Sequence, residues 1–311
     1  MARRVCALAG GVGAACFLQG LVQVVDPREL SVVVNTGDDR DFHGLRVCPD
    51  LDIITYTLAG RVNADTGWGL VDETWNTLCE LQKFGHETWF QLGDRDLATH
   101  IHRSERLRSG AGLAEVTREI TRAFELELEL IPMTEADAPT FVVRKGERRT
   151  HFEEYLVRDR APDDVIETDL AAARASEPAP GVLEAIRGAE ILLLCPSNPI
   201  VSIGPIRAVA GVEAELRARS DAVAVSPIIG GAPVKGPAHH LMPAAGYEVS
   251  ARGVAEIYRE ILMGLVIDRE DTGLADEIRE LGLQVRIENT LMKTSEIAAS
   301  VARATLELAS S

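Results

Sequence analysis

Six short, unbroken apolar runs recur along this 311-residue chain, and glycine, proline or polar residues follow each of them. Apolar and polar residues do not alternate within the runs, which is typical of strands buried on both faces of a parallel sheet. Helical stretches are predicted between several of these runs. The alternation predicts an α/β fold with a doubly wound, mostly parallel, Rossmann-like sheet. The predicted strands are Val5–Ala9, Leu30–Asn35, Ile191–Leu194, Ala222–Val225, Leu265–Ile267 and Leu283–Ile287, and the helices are Ala14–Val24, Ile206–Ala218 and Val254–Gly264.

The middle of the chain has a different pattern. Apolar residues at helical spacing predict helices, and a turn-rich stretch after them predicts a hairpin. We therefore predict that residues 66–170 form an inserted helical-plus-hairpin subdomain, while residues 1–65 and 171–311 together form a nucleotide-binding core. The predicted helices are Asp72–Phe84, Asp94–Leu107 and Leu113–Phe124, and the predicted hairpin strands are Phe141–Arg144 and Phe152–Arg158, joined by the turn Lys145–Arg149.

Charge and cysteine content restrict the partners of the chain. The net charge of −16 argues against binding to nucleic acid or to an anionic membrane surface. Glycines interrupt the apolar segment near the N-terminus and no apolar run has membrane length, so neither a signal peptide nor a membrane span is predicted. The five cysteines are scattered without a CxxC pair, which indicates reduced thiols in a cytoplasmic protein. Small-molecule substrates are the expected partners.

A glycine turn follows the first predicted strand. Gly10, Gly11 and Gly13 lie between that strand and a helix, where free backbone N–H groups can bind a phosphate. The dinucleotide fingerprint is incomplete because Cys16 occupies the third glycine position, and no P-loop lysine follows. From this motif alone, phosphate binding and a merely tight strand-to-helix turn are equally good interpretations.

An acidic stretch follows the second predicted strand. Asn35 marks the carboxyl end of that strand, at the edge where open α/β sheets bind ligands. Oxygen ligands at this density suit Mg²⁺, which takes one or two carboxylates together with phosphates and water. A solvated turn is the alternative interpretation, and position at the sheet edge brings the two to parity. The acidic residues are Asp38, Asp39, Asp41, Asp50 and Asp52.

Two further loops follow predicted strands. In CPSNPIVSIGPI, prolines stiffen the turn that holds Ser197, Asn198 and Ser202, so a hydroxyl and an amide are held in fixed positions near the glycine turn. A structural turn capping the next helix is the alternative. In SPIIGGAPVKGPA, Lys235 is a candidate to bind a substrate phosphate or carboxylate.

The stretch LGDRDLATHIHR begins a charged amphipathic helix. Asp94 is predicted to cap that helix, whereas Arg95 is not explained by capping and is a candidate to bind a phosphate or carboxylate in a bidentate manner. His100 and His102 are two positions apart, so they face different sides of a helix and are interpreted as packing or surface residues rather than as a shared metal site.

These motifs, taken in order, resemble one family. GGVG, VVNTGDD, HGLRVCPDLD, YTLAG, WFQLGDRDLATH, PSNPIVSIGPI and SPIIGGAPVKGPA are similar to motifs of the 2-phospho-L-lactate transferases (CofD/FbiA type) of coenzyme F420 biosynthesis, from Leu8 to about Met292. The resemblance implies transfer of a phospholactyl or phosphoenolpyruvyl group from a GMP anhydride to the deazaflavin alcohol Fo, giving F420-0 or dehydro-F420-0 and GMP. It also implies Mg²⁺ as cofactor and a homodimer.

The resemblance assigns roles to individual residues. Asp39 and Asp52 would hold Mg²⁺ and orient the attacking hydroxyl, with Arg95 as a further catalytic cation. Asp52 and Gln91 would lie at the Fo site, which places the 66–170 insertion on the acceptor side. The guanosine diphosphate part would be bound by Gly10, Gly11, Gly13, Ser197, Asn198 and Ser202. Asn35 and Lys235 are further binding candidates from their positions after predicted strands.

The chain departs from the family pattern at Cys16 and Gln91, where relatives often carry a cation, and at Ile53, where threonine is usual. An alternative is a regulatory protein of the related YvcK-like branch, which binds sugar nucleotides. The loops NTGDDRDFHG and LGDRDLATH favour the transferase. An NAD-linked oxidoreductase is a third class, and the missing third glycine argues against it.

Overall fold

The computed structural model of the protein describes residues 3–63, 66–146 and 148–310. The strands in chain order are β1 (Val5–Ala9), β2 (Leu30–Val34), β3 (Arg40–Phe42), β4 (Leu45–Val47), β5 (Glu129–Pro132), β6 (Phe141–Arg144), β7 (Arg148–His151), β8 (Val165–Asp169), β9 (Ile191–Leu194), β10 (Ala222–Val225), β11 (Ile228–Ile229), β12 (Ala232–Pro233), β13 (Leu262–Asp268) and β14 (Gln284–Glu288).

Helices lie on both faces of the central sheet and within residues 66–170. In chain order they are α1 (Gly11–Leu21), α2 (Pro49–Leu58), α3 (Asn76–Lys83), α4 (Asp96–Arg108), α5 (Leu113–Ala123), α6 (Ala171–Arg174), α7 (Val182–Gly188), α8 (Ile203–Ala208), α9 (Val212–Arg219), α10 (Ala238–Ala244), α11 (Ala251–Tyr258), α12 (Ala275–Glu280) and α13 (Ser295–Leu308). Among the described residues, no helix combines the length and the apolar character that a bilayer crossing requires.

The central sheet of the described chain has seven parallel strands in the order β14-β13-β10-β9-β1-β2-β5. The chain winds from β1 outward through β2 to β5, and then from β9 outward in the other direction. The predicted α/β class is therefore confirmed. The reversal of direction lies between β1 and β9, and such a switch point leaves a crevice at the carboxyl ends of the strands where α/β proteins bind ligands.

The core lies on both faces of this sheet, as the unbroken apolar runs predict. Along β1, the side chains of Cys6 and Leu8 pack in one buried cluster, and those of Val5, Ala7 and Ala9 pack in another. Three of the six predicted strands match the structure residue for residue: Val5–Ala9, Ile191–Leu194 and Ala222–Val225.

Two predicted helices end in other places. The helix predicted over Ile206–Ala218 is two helices, α8 and α9, because Gly211 between them has a left-handed φ of +79°. The helix predicted to run to Gly264 ends at Tyr258. Leu262 and Gly264 are instead strand residues that pair with β10, which lengthens β13 beyond the predicted Leu265–Ile267.

The predicted hairpin has a different second strand. Arg148–His151, rather than Phe152–Arg158, pairs with β6, and β8 completes a three-stranded antiparallel sheet. Glu154–Arg158 forms a π-helical turn, and Tyr155 within it and Phe152 just before it are both buried in the core. Glu147 of the predicted turn lies outside the described residues.

One strand of the central sheet was not predicted. Glu129–Pro132 pairs with β2 at the edge of the sheet, although it falls inside the predicted 66–170 insertion. Proline is tolerated there because an edge strand has one side free of ladder hydrogen bonds. The division into core and insertion stays a prediction, and its boundary at residue 65 lies outside the described residues.

The first and last helices of the sheet domain are in close contact. A Cβ placed on Gly20 of α1 would lie closer than 3.0 Å to the backbone of Ala298 in α13, a separation that real Cβ atoms do not adopt. Only glycine allows the two helix axes to approach this closely. Near the two ends of the described chain, Arg3 donates to the Ser310 hydroxyl, 307 residues away.

Candidate functional site

Three loops meet where β9, β1 and β2 end. The Gly10 N–H donates to Ser197 Oγ at 3.1 Å, and this bond ties the glycine turn to the loop after β9. A Cβ on Gly13 would lie closer than 3.0 Å to the Pro196 carbonyl oxygen. The structure therefore brings the predicted residues Gly10, Gly13 and Ser197 together, with the N-terminus of α1 facing the crevice.

Asp50 joins the glycine turn to the loop after β2. Its Oδ1 accepts from the Gly11 N–H at 2.8 Å, and its Oδ2 accepts from Asn35 Nδ2 at 2.8 Å. Asn35 Oδ1 in turn accepts from the Gly37 N–H at 2.9 Å. Packing around Gly10 is tight, because a Cβ placed there would lie 2.7 Å from both Asp50 Oδ2 and Ser202 Cβ.

Sequence reasoning noted Asp50 among the acidic residues but did not assign it to the site. The available signal was its place directly after Pro49, in the first turn of α2. Proline at the first helical position and an acid just after it are typical of a helix start, and a helix start points its first side chains back towards the preceding loop.

Asn198 and Ser202 belong to the loop after β9, where Ser202 is buried and Asn198 is half-buried. The Asn198 Oδ1 accepts from the Ile200 N–H at 2.9 Å, which shapes the turn. Its Nδ2 is buried and has no hydrogen-bond partner among the described residues, so it is a free donor inside the crevice. Ser202 is 7% exposed and directly precedes α8. The predicted roles of both residues in binding stay predictions.

Three carboxyls share the buried side of the site. Burial, followed by the charges of Asp50, Glu153 and Asp39, raises the pKa of Asp38 well above its ordinary value. Burial raises the pKa of Asp50 to about 6, although the hydrogen bonds from Asn35 and Gly11 oppose the shift. Burial and the charge of Asp50 raise the pKa of Glu153 to about 8. Like charges at this density favour a cation or a proton between them.

This acidic group makes the stability of the metal-free protein depend on pH. The pKa values of Asp50 and Glu153 in the folded state lie above their ordinary values of 3.8 and 4.5, so the folded state binds more protons than the unfolded state between about pH 4 and about pH 8. The free energy of unfolding is therefore expected to fall by more than about 1 kcal/mol as the pH rises across that window, since one pKa unit corresponds to about 1.4 kcal/mol.

Urea denaturation in the presence of a chelator, at about pH 5 and about pH 8, measures this effect. Glu153→Gln is expected to reduce the pH dependence, and the exposed Glu167→Gln is expected to leave it unchanged. Stability that stays constant or increases towards pH 8 in the unsubstituted protein would contradict the assignment.

Asp39 lies beside Asp38 in the loop after β2, whereas Asp52 lies in the first turn of α2. Burial raises the pKa of Asp39 well above its ordinary value, while a hydrogen bond from Cys48 and the charge of Arg103 act in the opposite direction. The Asp39 Oδ1 is buried without a hydrogen-bond partner among the described residues. Asp52 is different, because both of its carboxylate oxygens accept hydrogen bonds from Arg103. Arg103 was not among the predicted site residues.

The donor set can be tested against Mg²⁺. Asp39 fits, because it offers an unpartnered buried carboxylate oxygen, a hard ligand of the kind that Mg²⁺ prefers. Asp52 offers only the lone pairs that remain beside the Arg103 pair. Within the described ranges, no three His, Cys, Asp or Glu side chains form a complete metal-ligand group. A magnesium site held by one or two carboxylates and completed by phosphate and water is consistent with that arrangement.

Asp94 caps a helix, but not the helix that was predicted. The Asp94 carboxylate accepts from the backbone N–H groups of Asn76 and Thr77, so it caps α3 rather than α4. Glu73 caps α4 instead, because its carboxylate accepts from the N–H groups of Arg95 and Asp96. Asp94 lies before α4 but caps α3, and Glu73 lies before α3 but caps α4. These crossed hydrogen bonds link the two helices.

The family of the chain follows from comparison with known sequences. A family model described as 2-phospho-L-lactate transferase CofD matches residues 5–305. The chain belongs to the CofD family. Its relatives include a phosphoenolpyruvate transferase from Kitasatospora aureofaciens, 43% identical over 98% of each chain. A 2-phospho-L-lactate transferase from Methanococcoides burtonii is 38% identical over 94% of this chain and 95% of that one. The protein is thus a transferase of this type.

Solved structures agree with the CofD-family chain in fold. Two structures of the Bacillus halodurans protein BH3568, described in one of them as a member of the UPF0052 family, superpose with TM-scores of 0.67 and 0.66. They cover 98% of this chain and 100% and 99% of the other. The sequence identity is 15%, so the likeness concerns the fold alone.

Lys235, Arg95 and Gln91 are exposed side chains of this CofD-family transferase. Lys235 is exposed, and its Nζ lies 3.6 Å from a Cβ placed on Gly67. Burial raises the pKa of Cys16 in α1, and the charge of Lys235 opposes that shift. Arg95 and Gln91 are both exposed near the start of α4, and the structure joins neither side chain to the three loops. Their roles stay predictions.

Proposed function

We propose that this protein transfers a phosphoenolpyruvyl group from its GMP anhydride to the ribityl hydroxyl of the deazaflavin Fo, with release of GMP. The observation that carries the proposal is the junction of the glycine turn, Asn35 and Ser197 around Asp50, at the switch point of a CofD-family sheet. The relatives named phosphoenolpyruvate transferase, up to 43% identical, support the enolpyruvyl donor.

The donor's diphosphate is proposed to lie at the N-terminus of α1. Backbone N–H groups and the positive end of the helix favour a negatively charged group there. The free Asn198 Nδ2 and the exposed Lys235 are the further donors available around this position. The buried Asp50 aligns the loop that faces them, because it holds Gly11 and Asn35 together.

The reaction forms one oxygen–phosphorus bond and breaks another. The Fo hydroxyl oxygen attacks the phosphorus that carries the enolpyruvyl group, the anhydride bond breaks, and GMP leaves with the electron pair. The hydroxyl proton passes to a carboxylate or to water. Asp39, with an unpartnered oxygen, is proposed to hold Mg²⁺, which would neutralise charge on the diphosphate when bound. Asp52 is proposed to orient the hydroxyl.

Phospholactate is the second candidate donor, because the Methanococcoides burtonii relative is a 2-phospho-L-lactate transferase. One or two contacts are enough to discriminate such similar acids. The homodimer that the family resemblance implies and the cytoplasmic location that the cysteine pattern indicates stay predictions.

A competition assay tests the proposal. The protein, Fo and Mg²⁺ are incubated with both guanylylated donors in equal amounts, and mass spectrometry identifies the product, since dehydro-F420-0 and F420-0 differ by a pair of hydrogen atoms. Dehydro-F420-0 together with released GMP is the expected result. F420-0 as the main product would shift the assignment to phospholactate. No transfer from either donor, with calorimetric binding of UDP-sugars, would favour the YvcK-like alternative.

A further inference from the structure

One arginine holds the Asp52 carboxylate from another helix. Arg103 Nη1 on α4 donates to Asp52 Oδ2 at 3.1 Å, and Arg103 Nη2 donates to Asp52 Oδ1. The side chains are buried, at 1% exposure for Arg103 and 5% for Asp52. A planar guanidinium that makes paired bonds to a carboxylate fixes its orientation as well as its distance.

Arg103 is itself held from behind. Its Nη1 lies 3.3 Å from His100 Nδ1 and donates to the Arg46 carbonyl oxygen at 3.4 Å. The other ring nitrogen of His100 lies 3.2 Å from Asp96 Oδ1, which accepts from the Tyr56 hydroxyl at 2.5 Å. The exposed His102 on the same helix contacts Glu119 instead. A buried chain of polar contacts therefore restricts the Arg103 side chain.

Stability alone does not explain this pair. Buried ion pairs lose much hydration, and apolar replacements of similar volume are often equally stable. Burial acts against the charge of Arg103, but the Asp52 carboxylate and the Cys48 thiol raise the pKa of its guanidinium. The charge of Arg103 also lowers the pKa of Asp39, although the effect of burial outweighs it.

We propose that Arg103 is a positioning residue, which fixes Asp52 so that the remaining lone pairs of its carboxylate face the hydroxyl of the acceptor alcohol. Each carboxylate oxygen has two lone pairs, so one bond from Arg103 leaves each Asp52 oxygen able to accept another hydrogen bond. This inference rests on the proposed function, which puts Asp52 beside the acceptor. It assigns Arg103 to acceptor recognition and turnover and not to donor binding.

Arg103→Lys keeps the charge and removes the paired geometry. We expect kcat/KM for Fo to fall about 10- to 100-fold, because small misplacements of an orienting group cost this much, while the KM of the donor stays unchanged. Fo binding, followed by deazaflavin fluorescence without any donor, is expected to weaken as well. The matched control is Arg144→Lys, another buried arginine, which pairs with Asp159 and Asp164. It is expected to lower stability without changing the constants for Fo.

A double-mutant cycle keeps the test decisive if Arg103→Lys folds poorly. If Arg103 acts through Asp52, the double variant Asp52→Asn with Arg103→Met has the same acceptor kinetics and the same Fo affinity as Asp52→Asn alone. An additional loss in the double variant would overturn the inference. Wild-type constants for Fo in Arg103→Lys would also overturn it.

Failure of the proposed function gives a different result. In that case the wild-type protein itself neither binds Fo nor transfers a group from either donor, and the positioning role falls with it. If the wild-type protein is active and the Arg103 variants resemble the Arg144 control, only the positioning role is wrong.

Discussion

Asp39→Asn is expected to lower kcat for Fo at saturating donor and Mg²⁺ by at least about 100-fold, the scale on which removal of an electrostatic group affects catalysis. Asp39 carries a buried carboxylate oxygen with no partner among the described residues, which fits a ligand of Mg²⁺. An amide oxygen in the same place carries no full charge and binds the ion weakly.

The same substitution is expected to leave the fold intact. Burial raises the pKa of Asp39 well above its ordinary value, so the charged form costs folding free energy in the absence of metal. The neutral asparagine has the same shape, and the thermal midpoint of the metal-free variant should equal or exceed that of the wild-type protein. The increase of that midpoint on addition of Mg²⁺ should be lost.

Asp41→Asn is the matched control for Asp39. Asp41 belongs to the same acidic stretch, but its side chain is 61% exposed and pairs with Arg46 at 2.8 Å. Its replacement should change neither turnover nor the Mg²⁺ response. Near-normal turnover of Asp39→Asn would remove Asp39 from the mechanism.

Gly13→Ala is expected to destabilise the protein by about 1–3 kcal/mol, the usual effect of inserting a methyl group into a packed interior. The new Cβ would collide with the Pro196 carbonyl oxygen, which is backbone and cannot rotate away. Helix α1 and the loop after β9 would have to separate. Because both carry proposed donor contacts, GDP binding should weaken in parallel, which calorimetry can measure alongside urea denaturation.

Gly273→Ala separates this effect from a general effect of replacing glycine. A Cβ on Gly273 meets no atom within 4 Å, and its backbone is not left-handed. The control should therefore bind GDP normally and unfold at an unchanged or slightly higher urea concentration. Equal behaviour of the two variants would contradict the close packing at Gly13.

The central strands were predictable from sequence because burial on both faces leaves an unbroken apolar run, as in Ile191–Leu194. Glu129–Pro132 was missed because four residues that include a charge and a proline carry no such signal. The second hairpin strand was misplaced because Phe152, Tyr155 and Val157 are residue types that favour strands, whereas the three-residue spacing of the buried Phe152 and Tyr155 suits a helical turn.

The directions in which the side chains of the site point could not be predicted from the sequence. Asp50 and Asp52 are two positions apart on α2, so they point to different sides of the helix: Asp50 faces Gly11 and Asn35, and Asp52 faces Arg103. The sequence shows both acidic residues, but it does not show which partners each of them contacts. Arg103, which lies 51 residues further along the chain, becomes a neighbour of Asp52 only when α4 packs near α2.

The contact between α1 and α13 affects the order in which parts of the protein fold. The glycine turn and its helix are among the first residues synthesised, but the surface that covers Gly20 belongs to residues near the end of the chain. Contacts with so large a sequence separation form late and slow folding. During translation, α1 therefore keeps an apolar face uncovered until α13 has been synthesised, and transiently exposed surface of this kind is what chaperones protect during folding.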